Sequence, residues 1–123
     1  MAVYNGAAYL VDAIDSILGQ TFGDFQFLIL DDCSCDKTPA VLSDLAARDP
    51  RIRVERNSEN LGQTPTLNRG LDLVETEYVA RMDADDLSAP ERLARQIGFL
   101  DVNPECVLLG TGARDIDSRG ERT

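Results

Sequence analysis

The sequence predicts an α/β domain in which strands and helices alternate around a mostly parallel sheet. Three observations carry that expectation. Phe25 to Leu30 is a near-continuous apolar run ending on Asp31-Asp32, the pattern of a strand buried on both faces. A second run, Tyr78 to Met82, ends in the same manner on Asp83-Ala84-Asp85-Asp86. Around these runs lie segments with apolar residues at helical spacing, and alternation of this kind favours parallel strands joined by right-handed crossovers.

Each element has its own reason. Met1 to Gly6 offers a stub of strand before the turn residues Asn5-Gly6, which suggests that the start of the first strand is missing. Ala7 to Leu18 places Leu10, Ile14, Ile17 and Leu18 on one helical face. After the Phe25–Leu30 strand, Asp36 is a plausible N-cap for a helix from Lys37 to Arg48, with Val41, Leu42 and Leu45 inward and Asp49-Pro50 ending it. A short strand follows at Ile52 to Glu55. Thr64 caps the next helix, with Pro65 at its first position and Leu67, Leu71 and Val74 on its buried side. Beyond the Tyr78–Met82 strand, Pro90 opens a helix with Leu93, Ile97 and Leu100 spaced for burial, and Cys106 to Leu109 reads as one more strand. The charged tail from Arg114 to Thr123 reads as a loop.

Composition narrows the function. With 123 residues, 43% of them hydrophobic, the chain fits one globular domain or a piece of one. Its net charge of −10, from 22 acidic and 12 basic residues with no basic patch, argues against a nucleic-acid partner. An acidic chain that holds an anionic nucleotide needs a cation between them. There are 3 cysteines and no histidine, so Cys33 and Cys35 lack partners for a zinc site, and reduced thiols in a cytosolic protein are expected. No apolar stretch reaches the ~18 residues that span a bilayer.

The acidic strand ends are where chemistry is expected. In open α/β sheets ligands sit outside the carboxyl ends of the strands. Asp83 and Asp85, at i and i+2, can converge on one Mg²⁺ or Mn²⁺, hard ions that take oxygen ligands and share them with substrate phosphates. An EF-hand loop is excluded, because Ser88 and Ala94 stand where it needs Gly and Glu.

Further segments join these in order: Val3-Tyr4-Asn5-Gly6 with Tyr9-Leu10, Ser16 to Thr21, Asp31 to Asp36, and Asn60-Leu61-Gly62. Leu67 to Leu71, Ala80 to Asp86, and Pro90 to Leu93 with Gln96 complete the set. Together they resemble the inverting glycosyltransferases of family 2 over nearly the whole chain. The resemblance implies a GT-A (Rossmann-like) fold, apparently truncated, with residues 1–123 forming the nucleotide-sugar-binding part of a single domain and the acceptor-binding half absent. It implies that Ala2, Tyr4, Asp32, Asp83 and Ala84 contact the nucleotide, Tyr4 stacking on the base and Asp32 accepting from a base N–H. Asp83 and Asp85 would hold Mn²⁺ or Mg²⁺. The donor would be a UDP-sugar and the acceptor a saccharide, lipid or protein hydroxyl, with the catalytic base, a carboxylate, expected downstream of Thr123. The implied location is the cytoplasm or, in the full-length protein, the inner face of the membrane.

Two departures stand out. Cys33 and Cys35 replace a Gly and a Thr common in the family, and the glycine would permit a positive φ that cysteine resists. Two other readings share the acidic strand ends. A phosphoacceptor receiver domain wants a lysine near a late strand, whereas Lys37, the sole lysine, comes early. A sugar nucleotidyltransferase opens with a Gly-rich basic loop, which Val3 to Gly6 does not supply.

Overall fold

The computed structural model describes residues 1–117 and 120. Its elements run β1 (Ala2–Val3), α1 (Leu10–Leu18), β2 (Phe27–Asp31), α2 (Thr38–Arg48), β3 (Ile52–Arg56), α3 (Gln63–Asp72) and α4 (Arg92–Val102). The three strands form one parallel sheet in the order β1-β2-β3, with Ala2 opposite Leu30 and Phe27 opposite Ile52. The expected alternating α/β architecture is present.

Strand β2 is buried along its whole length because both faces are covered. Successive side chains point to opposite faces. Phe27 and Ile29 join Leu10, Ile14 and Ile17 of α1 and Leu42 and Leu45 of α2 in one core. Leu30 turns the other way, toward α3, where a Cβ added to Gly70 would come within 2.9 Å of Leu30 Cδ1. That close approach explains why α3 buries Thr66 and Gly70. The expected stripe of Leu67, Leu71 and Val74 is corrected here: Leu71 is 56% exposed, because small residues let this helix sit close to the sheet.

Local chemistry sets the helix ends. Helix α1 buries Leu10, Ala13, Ile14 and Ile17, an i, i+3, i+4, i+7 stripe, and each large aliphatic side chain so buried contributes about 1.5–3 kcal/mol. It starts at Leu10 and not Ala7, because Ala7–Tyr9 form a turn in which the Tyr9 and Leu10 amides both donate to Gly6 O. Asp36 Oδ1 accepts from the Thr38 amide at 2.9 Å ahead of α2. Helix α2 stops at Asp49, which is extended before Pro50. Gly62, at φ +85°, takes the position ahead of α3 that the sequence assigned to Thr64.

Two expected strands are absent. Residues 78–82 and 106–109 have no regular structure, although Met82 is buried in the core. Strand propensity does not make a strand without a neighbouring ladder to take its N–H and C=O groups. Neither segment pairs with β1–β3, and Val107 and Leu108 are exposed. Of the tail read as a charged loop, residues 118, 119 and 121–123 lie outside the described residues.

Candidate functional site

At the carboxyl end of β1 the chain turns through Tyr4, Asn5 and Gly6, and this turn is tied to the segment after β2. Asn5 takes a left-handed φ of +51°, a conformation asparagine tolerates better than most residues. Its Oδ1 accepts from the amides of Cys35 at 2.9 Å and Asp36 at 3.3 Å, and its own amide donates to Ser34 Oγ at 2.9 Å. The Gly6 amide donates to Thr38 Oγ1 at 3.0 Å. Gly6 has no room for a side chain, since a Cβ would lie 2.6 Å from Val3 Cγ2. One loop therefore fixes the other, and the Tyr4 ring is held at the rim, 51% exposed. An exposed, anchored ring suits stacking better than core packing.

The 83–85 segment closes the opposite wall. Gln20 anchors it from a distance. Its buried side chain donates to Ser16 O, Ser88 Oγ and Ala89 O and accepts from the Leu93 amide, clasping the end of α1 to the start of α4. The Ser88 amide donates to Ser16 Oγ, and the Thr21 amide to Pro90 O.

Between these walls lies a cleft of about 450 Å³ lined by Ala2, Tyr4, Asn5, Asp83, Ala84 and Asp85, among others. Five of the six residues expected to contact nucleotide or metal thus share one surface. Asp83 accepts from Arg81 Nη2 at 2.8 and 3.0 Å through its two oxygens. Asp85 is exposed on the same surface. No group of three or more His, Cys, Asp or Glu side chains positioned for a metal occurs among the described residues. Two hard carboxylates open to solvent nonetheless fit Mg²⁺ or Mn²⁺, which commonly keep few protein ligands and complete their shell with water and phosphate oxygens.

Asp32 is placed differently and does not line this cleft. It lies on the α3 side, 4% exposed, and its amide continues the ladder to Val3 O. Its Oδ1 accepts from Asn57 Nδ2 at 2.7 Å and the Leu61 amide at 2.9 Å, and its Oδ2 accepts from the Gly62 amide at 2.8 Å. Burial pushes its pKa up, but hydrogen bonds from Leu61, Asn57, Thr66 and Gly62 outweigh it and hold the carboxyl below its usual range. A carboxylate offers about four acceptor positions, so these four donors take up essentially all of its capacity. Asp31 turns to the opposite face, 1% exposed, where Oδ1 accepts from the Ser34 amide at 2.9 Å and Oδ2 faces Arg56 Nε at 3.4 Å.

Sequence reading missed Asn57 and the full role of Gln20. Asn57 is buried, bridges Asp32 and Thr66 through Nδ2, and accepts from Arg69 Nη1 at 2.8 Å. The signal available for both was a polar residue destined for a buried position, which a single sequence does not distinguish from a loop residue.

Comparison with known proteins bears on the same residues. The family profile described as "Glycosyl transferase family 2" matches residues 1–123. EpsE of Bacillus subtilis (strain 168) is 35% identical over 123 residues, which cover 99% of this chain and 44% of that protein. Among solved structures, S. aureus TarS 1-349 in complex with UDP-GlcNAc superposes with a TM-score of 0.76 and 27% identity, over 82% of this chain and 30% of that one. The mannosyltransferase PcManGT from Pyrobaculum calidifontis, in complex with GDP-Man and Mn²⁺, gives a TM-score of 0.75 and 27% identity over 80% of this chain and 30% of its own. The chain therefore spans less than half the length of each of these similar proteins.

Proposed function

This chain belongs to glycosyl transferase family 2, and from that premise we propose that its cleft binds the nucleoside diphosphate of a sugar donor, a UDP-sugar, through Mn²⁺ or Mg²⁺. The observation that carries the reading is the convergence of Tyr4, Asp83, Ala84 and Asp85 on one cleft at the carboxyl end of β1. Tyr4 presents its ring to the base. Asp83 and Asp85 hold the divalent ion, and the net charge of −10 makes such a bridge necessary for a dianionic ligand. A divalent ion at this place supplies neutralisation of the charge that grows on the departing diphosphate. Asp32 reads the base as an acceptor, exchanging one of its present donors for a base N–H beside the Leu61–Gly62 turn that it anchors.

The reaction is transfer of the sugar to an acceptor hydroxyl of a saccharide, lipid or protein, with inversion at the anomeric carbon. Inversion requires a base on the face opposite the leaving diphosphate, and a carboxylate outside these residues takes the acceptor proton. Residues 1–123 are the donor half, and the working location is the cytoplasm or the inner membrane face. Among the described residues no helix is long and apolar enough to cross a membrane.

Calorimetric titration of the chain with UDP tests the proposal. Heat is expected with Mn²⁺ and none with a chelator, and Asp85→Ala should lose the metal-dependent part. Equal binding with and without metal would remove the bridging role of Asp83 and Asp85.

A further inference from the structure

Asp83 and Asp85 share a cleft but differ in charge environment. Both oxygens of Asp83 contact Arg81 Nη2, and Gln63 Nε2 makes a longer contact of 3.4 Å to Oδ1. Asp85 makes no side-chain hydrogen bond or ion pair with the described residues. The position of Arg81 is itself supported, because Arg92 Nη2 at the start of α4 donates to the Arg81 carbonyl at 2.8 Å. A cation thus already sits on the Asp83 oxygens that a divalent ion would use.

We propose that Arg81 is a placeholder for the metal: its guanidinium neutralises Asp83 in the free chain and must leave when the divalent ion binds. This inference rests on the metal-bridged donor site proposed above. Two properties make the exchange feasible. The pair is exposed, with the Arg81 side chain at 60% and Asp83 at 40%, and exposed ion pairs are weak enough to be displaced. Asp85 meanwhile stays open and gives the incoming ion its first carboxylate. Arg81 is a positioning residue in this scheme, since it acts on the metal through Asp83. Once released it remains two residues from Asp83 as a planar donor suited to phosphate oxygens.

The test is Mn²⁺ binding to the 123-residue chain without nucleotide, followed by the electron paramagnetic resonance signal of free Mn²⁺ at low ionic strength. Arg81→Gln should bind Mn²⁺ roughly 1.5- to fivefold more tightly than the parent, the range expected from freeing one carboxylate of an exposed pair. In an Asp83→Asn background the same substitution should give no gain, because there is no carboxylate left to free. Unchanged or weaker Mn²⁺ binding by Arg81→Gln, with the parent binding measurably, overturns the placeholder role alone. A gain that persists in the Asp83→Asn background also overturns it, by assigning the effect to general charge. Failure of both chains to bind Mn²⁺, with or without UDP, overturns this inference together with the site on which it rests.

Discussion

Replacing Cys33 with glycine should stabilise the protein, although it deletes a side chain that touches its surroundings. Cys33 sits at φ +63°, in the left-handed region. An L-residue held there costs roughly 1–2 kcal/mol through the approach of Cβ to the following carbonyl oxygen. Glycine removes that cost but gains freedom in the unfolded chain worth about 0.4–1 kcal/mol. The substitution also removes the interaction of Cys33 Sγ with Ser58 O at 3.7 Å, in which a weak sulfur donor acts at long range. The expected net gain is therefore about 0.5–1 kcal/mol, or roughly 2–5 °C in melting temperature for a chain of this size. Cys33→Ala is the decisive control, because alanine keeps the Cβ and the backbone strain while giving up the same sulfur. Urea unfolding followed by circular dichroism, under reducing conditions, should rank Gly above Cys and Ala, with Val lowest since a β-branched residue tolerates this conformation worst. If Cys33→Gly and Cys33→Ala unfold at the same urea concentration, the left-handed backbone at this position carries no cost and the reasoning fails.

Two further substitutions probe the frame around the cleft. Asp32→Asn should lower stability at neutral pH and flatten its dependence on pH below about 4: a carboxyl held below its usual range stabilises above its unfolded pKa and loses that contribution as pH falls through the folded value. An unchanged acid limb in unfolding curves between pH 2 and 5 would refute the assignment. Gln20→Ala should cost roughly 1–3 kcal/mol by leaving the buried Leu93 amide and the Ala89 carbonyl without their partner, read as a lower urea midpoint, and a midpoint within error of the parent would show that the clasp contributes nothing.

What was legible in the sequence divides along a physical line. Helices α1, α2 and α4 and strands β2 and β3 announce themselves through local periodicity, and their bounds differ from expectation by only a few residues. The segments 78–82 and 106–109 carry an equally good local signal and form no strand, because pairing is a property of two segments and periodicity of one. The inward face of α3 failed for a related reason. A helix that approaches a sheet closely presents small residues there, so Gly70 against Leu30 outranks the larger Leu71.

The site shows the same division more sharply. The family resemblance pointed to Ala2, Tyr4, Asp83, Ala84 and Asp85, and all five share the cleft, since the end of β1 and the 83–85 turn need only be brought together. Asp31 and Asp32 are adjacent in sequence and chemically identical, yet the pleat sends them to opposite faces. One meets Arg56 and the Ser34 amide, the other Asn57 and the Leu61–Gly62 turn. Four donors already surround the Asp32 carboxylate, among them Asn57, buried and 25 residues away in the chain, so a base N–H would have to displace one of them. Motif reading names the carboxylates present at a site. The donors already bound to each one, Arg81 on Asp83 and two backbone amides on Asp32, decide how readily it can take up a new partner.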